Sequence, residues 1–318
     1  MICNICKNED YRIFKAREMY YGMNDCFDYL ECSNCGCIQI VDVPTDMSIY
    51  YPLKDYYSFQ KKELNIIQSI LQKQRDRYAV FRSGFLGHLV YKKFPFEFLY
   101  FLGTLKLNPD LKILDVGCGS GRLIHSLEGI GFKNLTGIDP YIAEETIGEN
   151  LSIMKKTIFD LPDINRFDLI IFSHSFEHMI DQFEVIDKVE RLLNRNGYCI
   201  IEMPIKSDYI WKLYRENWLQ LDAPRHFLIH TIKSFNYLME KSNLQLEKIV
   251  FNSNEVQFWG SELYKRNIPI KDENTLLDEK KNLFSKDQVN KFKEKSVELN
   301  KRNQGDQAIF ILKKTNDS

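Results

Sequence analysis

The sequence has no excess of basic residues: 43 Lys and Arg stand against 44 Asp and Glu, for a formal net charge of −1. A chain without a global positive field is not drawn to a nucleic-acid backbone, so we expect no nucleic-acid partner. The sequence also lacks a long apolar run. Its most apolar window, residues 94–102, contains Glu97 and follows Lys92 and Lys93. Because this window is far shorter than the ~20 residues that cross a bilayer, we predict no membrane span.

The first ten residues, MICNICKNED, lack the basic stretch and apolar segment of a secretory signal. We therefore predict a cytoplasmic protein, whose thiols stay reduced. In that compartment the eight cysteines indicate thiols or metal ligands rather than disulfides.

Two Cys-x-x-Cys spacings lie near the N-terminus, formed by Cys3 with Cys6 and by Cys32 with Cys35. Each spacing places two thiolates on one side of a tight turn, and four thiolates can close a tetrahedron around zinc. Such a site has no open coordination position, so the zinc would be structural and not catalytic. We therefore predict Zn²⁺ bound by these four cysteines.

Two further cysteines, Cys26 and Cys37, lie in the same segment and leave the choice of ligands open. A redox dithiol or free thiols are the alternative. The segment is short of aliphatic runs and needs a staple to fold, so we interpret residues 1–45 as a zinc-ribbon module. Residues 46–108 are rich in tyrosine and carry apolar residues at helical spacing, which predicts a helical linker or cap.

Beyond Pro109, short apolar strands alternate with helical stretches, a pattern typical of a parallel sheet covered on both faces. A helical insertion is expected at about 254–305. We predict an α/β domain over residues 109–318, with a doubly wound, mostly parallel, seven-stranded sheet. The seven predicted strands are Lys112–Val116, Asn134–Ile138, Ser152–Thr157, Phe167–Phe172, Tyr198–Met203, Gln245–Phe251 and Gln307–Leu312.

The segment ILDVGCGSGRL runs from the first of these strands through Gly117, Gly119 and Gly121 into a helix that begins near Arg122. Without Cβ atoms the backbone can approach a ligand closely, and the free N–H groups of the helix face it. The dinucleotide fingerprint is G-x-G-x-x-G, but Arg122 holds the place of its third glycine. This difference argues against a nicotinamide oxidoreductase. A turn needed only for packing is the other alternative.

Two acidic residues flank this loop in the predicted sheet. Asp139, in GIDP at the end of the second strand, can accept hydrogen bonds from both hydroxyls of an adenosyl ribose. Asp115, directly before the loop, would repel a pyrophosphate but suits a cationic ligand that carries an amino-acid group. The sequence therefore predicts a binding site for a cationic adenosyl compound.

Three motifs, LDVGCGSGRL, GIDP and FDLIIFSHSFEHM, resemble the successive motifs of class I S-adenosylmethionine-dependent methyltransferases. The resemblance covers roughly residues 111–203 and implies the class I methyltransferase fold with S-adenosylmethionine as cofactor. It implies that the loop cradles the methionine part, Asp139 holds the ribose and Asp160 contacts the adenine amino group. The implied cofactor-binding residues are Asp115, Gly117, Cys118, Gly119, Gly121, Asp139, Pro140, Phe159, Asp160, Leu161, Ser173 and His174.

Several stretches outside the core motifs carry a second resemblance. The cysteine knuckles, IQIVDVP, YYPLKDYY, WLQLDAPRHFLIHT and the final GDQAIFILKK resemble bacterial enzymes that methylate sugars for surface polysaccharide or deoxysugar synthesis. The larger sugar C-methyltransferases carry an additional C-terminal domain that this sequence lacks. The methylated atom and the acceptor therefore stay open.

Transfer of a methyl group to a hydroxyl requires a group that removes the hydroxyl proton, and histidine has a suitable pKa. His226, in DAPRHF, matches the position of a histidine in the related sugar methyltransferases and is our first candidate base. His178, in FEHM, is the second. Arg225 would bind a phosphate or carboxylate of the acceptor, and Tyr57 would stack on a sugar. For each of these residues a packing role is the alternative.

The sequence thus predicts a methyltransferase whose acceptor is a small molecule, a sugar nucleotide or glycan precursor, methylated at oxygen rather than at carbon or nitrogen. Two alternatives stay open. One is an RNA or protein methyltransferase that uses the zinc ribbon as a reader, and the other is a non-catalytic scaffold that binds the cofactor. The sequence does not determine the oligomeric state.

Overall fold

The structure is a computed structural model that describes residues 1–52, 64–271 and 283–315. The strands in this part of the chain are β1 (Tyr11–Arg17), β2 (Cys26–Cys32), β3 (Ile38–Ile40), β4 (Lys112–Val116), β5 (Asn134–Ile138), β6 (Thr146–Ile147), β7 (Leu151–Met154), β8 (Phe167–Ser173), β9 (Leu193–Pro204), β10 (Leu228–Ile229), β11 (Leu244–Phe251) and β12 (Gln307–Lys314). The helices are α1 (Ile66–Phe81), α2 (Phe85–Lys93), α3 (Glu97–Thr104), α4 (Arg122–Gly129), α5 (Gln182–Leu192), α6 (Asp208–Tyr214), α7 (Ile232–Met239), α8 (Val256–Lys265) and α9 (Lys286–Lys301).

The described residues form two compact units. The first unit comprises Met1–Tyr50, His174–Asp187 and the chain from Ile200 onwards, and the second comprises Tyr51–Ser173 and Lys188–Cys199. The predicted domain boundaries at residues 45 and 108 stay predictions.

The first unit contains an antiparallel sheet in the order β1-β2-β3-β10. Its edge strand β10 pairs Leu228 with Gln39 of β3, so the sheet combines the N-terminal cysteine segment with residues far along the chain. Tyr29, Ile38 and Trp218 are almost completely buried in the apolar core beneath it. Burial of these large side chains supplies the stabilisation that short strands cannot provide alone.

The same unit holds the C-terminal strands. β11 and β12 pair antiparallel, with an irregularity between Leu246 and Lys248. The Trp218 indole Nε1 donates a hydrogen bond of 2.8 Å to the buried Asp306 carboxylate, just before β12. Helices α8 and α9 lie in the segment 254–305 that was expected to be a helical insertion.

The second unit is built on strands in the order β8-β4-β5-β7-β6. The pairs β4 with β8, β4 with β5, and β5 with β7 are parallel, whereas β6 pairs antiparallel with β7. Ile113, Leu114, Ile170 and Ile171 are buried on these strands, as a sheet covered on both faces requires. The chain therefore has a Rossmann-like α/β fold with a mixed sheet.

The seven predicted strands are all present, and β4 and β5 have the predicted bounds. The predicted number was too low, because the described residues also form β6. Two residues are too few to produce a periodic pattern, so this strand has no signal in the sequence. The third predicted strand ends earlier than expected, because Thr157 caps the short 3₁₀ turn Ile158–Asp160. No helix among the described residues is both long and apolar enough to cross a bilayer.

Candidate active site

The glycine loop links β4 to α4 in a left-handed conformation. Gly117, Gly119 and Gly121 have φ angles of 74°, 52° and 76°, a region that other residues rarely adopt. A Cβ on Gly121 would lie 2.3 Å from Cδ1 of Ile153 on β7. The sequence therefore needs glycine at this position both for the backbone conformation and for close packing. Arg122, which replaces the third glycine of a dinucleotide loop, places its guanidinium 4.7 Å from the ring centroid of Phe96.

Asp139 follows β5 and is held by two backbone groups. The Gly119 N–H donates to its Oδ2 at 3.0 Å, and the Tyr141 N–H donates to its Oδ1 at 2.8 Å. A carboxylate can accept about four hydrogen bonds, so these two bonds are compatible with binding of ribose hydroxyls. The glycine loop and the acid predicted to hold the ribose are thus joined directly in the structure.

Asp115 is buried at the end of β4 and interacts electrostatically with Asp139. Burial, followed by the charge of Asp139, raises the pKa of Asp115 to about 7. Among the described residues, no cationic side chain acts on the pKa of Asp115. Two carboxylates in a desolvated setting favour a positively charged ligand and disfavour a pyrophosphate.

Two features beside the loop were not predicted. Tyr141 stacks on the buried Tyr51, with ring centroids 5.5 Å apart and planes at 11°. A Cβ on Gly137, on β5, would lie 2.8 Å from the Cys118 Sγ, so this side chain would have to shift. Gly137 and Tyr141 both belong to the motif GIDPY, but the sequence alone does not show which side chains pack against them.

The residues expected around the adenine lie in and beside the 3₁₀ turn Ile158–Asp160. The Asp160 Oδ2 accepts hydrogen bonds from both the backbone N–H and the hydroxyl of Thr157, each at 2.7 Å. Phe159 is exposed, whereas Leu161 is buried. The turn geometry orders this segment, and the contacts of all three residues with adenine stay predictions. Pro140, directly after Asp139, is exposed, and its cofactor contact also stays a prediction.

Ser173 ends β8 in the second unit, and His174, the next residue, begins a segment of the first unit. His174 has a left-handed φ of 54°, unusual for a residue with a side chain. Its ring lies 3.6 Å from a Glu177 carboxylate oxygen and 3.9 Å from a Glu202 carboxylate oxygen. Burial opposes protonation, but the two carboxylates raise the pKa of His174 to about 9. The cofactor contacts of Ser173 and His174 stay predictions.

Glu177, His178 and His226 form a group that we call the histidine–glutamate cluster. Glu177 is fully buried, and its Oε1 lies 3.8 Å from the His226 Nε2. Burial acts to raise the pKa of Glu177, but His174, His178 and His226 outweigh it and lower the pKa to about 2. The cluster therefore contains an ionised carboxylate in a desolvated position.

Backbone carbonyls orient both histidine rings. The Nδ1 atom of His178 lies 2.7 Å from the Arg225 carbonyl oxygen, and the Nδ1 atom of His226 lies 2.7 Å from the Gln220 carbonyl oxygen. A carbonyl oxygen can only accept a hydrogen bond, so the Nδ1 of each ring is the donor, and Nε2 is the imine nitrogen whenever the ring is neutral. Burial lowers the pKa of His226 to about 4.

Arg225 is fully buried and its guanidinium is occupied within the first unit. It contacts Glu18 Oε1 at 2.9 Å and both carboxylate oxygens of Asp222, at 2.6 and 2.9 Å. The rings of Tyr20 and Tyr21 pack against it, with centroids 5.1 and 5.6 Å away. These contacts anchor the DAPRHF segment and give no support to acceptor binding by Arg225. Tyr57, the other predicted acceptor contact, lies outside the described residues.

The N-terminal cysteines converge in the first unit. The Sγ atoms of Cys3, Cys6, Cys32 and Cys35 all lie within 4.8 Å of one another. The Sγ of Cys6 lies 3.5 Å from that of Cys32, and the Sγ of Cys3 lies 3.6 Å from that of Cys35. Zinc–sulfur bonds of ~2.3 Å in a tetrahedron would separate the sulfurs by ~3.8 Å, so this donor set fits zinc.

Of the two other N-terminal cysteines, only Cys37 joins this group. Its Sγ lies 3.4 Å from that of Cys3 and 3.5 Å from that of Cys35. Cys26 is exposed, and its thiol contacts the carbonyl of Asn24. Cys37 therefore remains the one alternative ligand among these two.

A strand, a left-handed glycine loop, a helix and an acid at the end of the next strand define a nucleotide-binding α/β domain. Residues 88–249, just over half of the 318-residue chain, match the family described as a methyltransferase domain. The chain belongs to this family. The domain is therefore that of an S-adenosylmethionine-dependent methyltransferase, as the motifs indicated.

Curated relatives match over parts of the chain. A ubiquinone biosynthesis O-methyltransferase of Rickettsia bellii is 25% identical over 156 residues, which is 44% of this chain and 64% of that protein. A tRNA U34 carboxymethyltransferase of Aeromonas salmonicida is 30% identical over 100 residues, which is 28% of this chain and 31% of that protein. The matches thus span less than two thirds of these relatives.

A solved structure of an S-adenosylmethionine-dependent methyltransferase from Archaeoglobus fulgidus has a TM-score of 0.42 and 21% identity. The match covers 74% of this chain and 97% of that chain. A likeness at this score adds nothing to the assignment, which depends on the family match.

Replacement of Gly121 by alanine tests the loop. The left-handed φ and the approach of Ile153 should lower the free energy of unfolding by about 1–3 kcal/mol, measured by urea denaturation. Gly129→Ala is the matched control, because Gly129 ends α4 and a methyl group there would have no neighbouring atom within 4 Å. Equal stability of the two variants would contradict the packing argument.

Proposed function

We propose that this protein transfers the methyl group of S-adenosylmethionine to a hydroxyl of a sugar nucleotide or surface-polysaccharide precursor. The observation that carries the proposal is the buried pair Asp115 and Asp139 beside the left-handed glycine loop. The sulfonium and ammonium groups of S-adenosylmethionine would supply positive charge to this anionic setting. Asp139 would accept the ribose hydroxyls while its backbone hydrogen bonds keep it in place.

The reaction requires that the acceptor oxygen be positioned against the methyl group and that one proton be removed. The acceptor oxygen attacks the methyl carbon, the carbon–sulfur bond breaks with its electron pair on sulfur, and S-adenosylhomocysteine leaves. The hydroxyl proton must pass to another group. We assign this step to His226, whose Nδ1 is held as a donor and whose Nε2 faces the carboxylates of Glu177 and Asp222 at 3.8 Å.

His178 is the second residue of this assignment. It follows Glu177 directly, and both come within five residues after Ser173, the last residue of β8. Open α/β sheets bind ligands at the carboxyl ends of their strands, which supports an acceptor near this segment. Arg225 would be a positioning residue, because its backbone carbonyl accepts the hydrogen bond that orients the His178 ring.

The class of acceptor depends on the sequence resemblance of WLQLDAPRHFLIHT and GDQAIFILKK to sugar methyltransferases. Oxygen as the methylated atom is part of this proposal: the relatives include O-methyltransferases of ubiquinone biosynthesis, and C-methyltransferases of ubiquinone and menaquinone biosynthesis match as well. We propose zinc as the structural ion of the cysteine segment, supported by the four converging sulfurs. A cytoplasmic location belongs to the same proposal.

Calorimetric titration tests the cofactor. S-adenosylmethionine should bind and NADH should not. Asp139→Asn should weaken the affinity for S-adenosylmethionine by about tenfold or more, because hydrogen bonds to a charged group are worth ~1.5–3 kcal/mol. Glu128→Gln, a change at a partly exposed acid on α4, is the control and should bind normally. Binding of NADH alone would end the proposal.

Metal analysis tests the cysteine segment. The purified protein should keep tightly bound zinc at the cysteine site, about one ion per chain, and the double variant Cys32→Ser, Cys35→Ser should lose it because two of the four thiolates are gone. Cys26→Ser, a change at the exposed cysteine, should keep the zinc. A Cys37→Ser variant that also loses it would identify Cys37 as a ligand in place of one of the four.

Mass spectrometry after incubation with S-adenosylmethionine and a panel of sugar nucleotides should detect a product heavier by one methyl group. His226→Ala should then lower turnover by about a hundredfold or more with little change in cofactor affinity, since proton transfer contributes ~10²–10⁴-fold. His88→Ala, on α2, is the histidine control. A near-normal rate for His226→Ala would remove His226 from the reaction.

A further inference from the structure

The Glu177 side chain is an unusual group in the first unit. It is fully buried, and neither carboxylate oxygen accepts a hydrogen bond from the residues that the structure describes. The rings of His174 and His226 lie 3.6 and 3.8 Å from the carboxylate, beyond hydrogen-bond distance. A buried carboxyl group without such bonds is costly, and a bound cation would offset that cost.

The rings of His178 and His226 lie near this carboxylate, and backbone carbonyls orient both of them. His178 and His226 both present Nδ1 to a backbone carbonyl at 2.7 Å, which leaves Nε2 as the imine nitrogen in each ring. Histidines that bind metal ions almost always donate their other ring N–H to such an acceptor. The two rings are neighbours, with centroids 4.8 Å apart.

Backbone hydrogen bonds fix the segments that carry these side chains. The Phe227 N–H donates to the Glu177 carbonyl at 2.8 Å, directly beside His226. The Tyr29 hydroxyl donates to the His226 carbonyl at 3.0 Å. The backbone that carries Glu177 and His226 is thus held in place, which favours a preorganised site.

We propose that Glu177, His178 and His226 bind one divalent transition-metal ion, as a site separate from the cysteines. One ligand atom from each residue lies within 4.8 Å of the other two. Metal–ligand bonds of ~2.1 Å bring neighbouring ligand atoms to ~3.0–3.4 Å, so the 3.8 Å between the Glu177 Oε1 and the His226 Nε2 would have to shorten when the ion binds. Two imidazoles and a carboxylate suit Zn²⁺, Mn²⁺, Fe²⁺, Co²⁺ or Ni²⁺ and leave positions open for another ligand.

The half-buried position of His178 leaves one side of the cluster near solvent, in contrast to the buried Glu177 and His226. The role of the ion deepens the proposed function and rests on it. An acceptor hydroxyl on the open position would lose its proton more easily, because a bound cation lowers the pKa of a coordinated O–H group. A metal-bound His226 has no ring nitrogen left to take the proton, so in this role the ion replaces the direct base assigned to His226 above, and the proton would pass to solvent.

The rival interpretation is an ion-paired cluster without metal. His174 lies 3.6 Å from the Glu177 carboxylate and could supply the positive charge by itself. The experiment must therefore measure metal binding directly and not activity alone.

Titration with Co²⁺ separates the two sites spectroscopically. Protein that retains its zinc is dialysed to remove loosely held ions, and cobalt is added in the absence of S-adenosylmethionine. We expect one equivalent to bind with visible d–d absorption and without the intense sulfur-to-cobalt charge-transfer band that a thiolate site produces. Glu177→Gln and His226→Gln should each weaken cobalt binding by at least about tenfold, since loss of a ligand exceeds the 10–100-fold effect of its supporting contacts.

His125→Gln is the matched control. The Nδ1 of His125 lies 3.6 Å from a Glu128 oxygen, a similar histidine–carboxylate distance, but both side chains are partly exposed and no second histidine is grouped with them among the described residues. This variant should bind cobalt like the wild type. Circular dichroism checks that each variant is folded, and if one variant fails to fold, the other decides.

Absence of a cobalt band from nitrogen and oxygen ligands in the wild type would overturn the proposal. Undiminished binding by the folded variants would do the same. Calorimetry with S-adenosylmethionine is a separate measurement, so a protein that binds cobalt but not the cofactor would retain the metal site and lose the proposed reaction. A protein that binds the cofactor but not cobalt would retain the proposed reaction and lose the metal site.

Discussion

The buried guanidinium of Arg225 holds together the part of the first unit that carries the candidate base. It connects Glu18, which follows β1, with Asp222, the first residue of the DAPRHF segment, although 207 positions separate Glu18 and Arg225 in the chain. Asp222 and Glu18 hold the pKa of Arg225 well above its usual value despite burial. An isolated charge in this position would cost several kcal/mol, so the three residues depend on one another. The Arg225 carbonyl extends this support to His178.

Each unit contains an anionic setting, and the two differ in what surrounds the carboxylates. In the second unit, Asp115 and Asp139 interact with each other, and Asp139 is held by backbone N–H groups. In the first, Glu177 is surrounded by imidazoles. The aspartate pair suits a cationic adenosyl ligand, whereas the histidine–glutamate cluster suits a cation that imidazole nitrogens can also bind. The two settings would thus bind different ligands, the aspartate pair the proposed cofactor and the histidine–glutamate cluster the proposed metal ion.

The cysteine segment is integrated with the first unit and not simply attached to it. β10 adds a strand to the sheet of β1, β2 and β3, and Lys206 donates hydrogen bonds to Glu31 at 2.6 Å and to the Gly36 carbonyl at 2.9 Å. A structural ion bound by these cysteines would therefore stabilise the sheet whose edge strand directly follows His226 and Phe227. In the proposed function, such an ion would support the segment that carries His226 without taking part in the chemistry.

Local sequence determined the elements that depend on neighbouring residues. The order of strand, glycine turn and helix, the acid at the end of β5 and the two cysteine knuckles all follow from short spacings, because backbone conformation and side-chain direction are set within a few residues. Tertiary structure decided the rest. It paired Arg225 with the buried Glu18, and it brought Glu177 beside His226, 49 positions further along the chain. Such pairs cannot be predicted from local spacing, because the packing of distant segments decides which charged groups are desolvated and which groups pair with them.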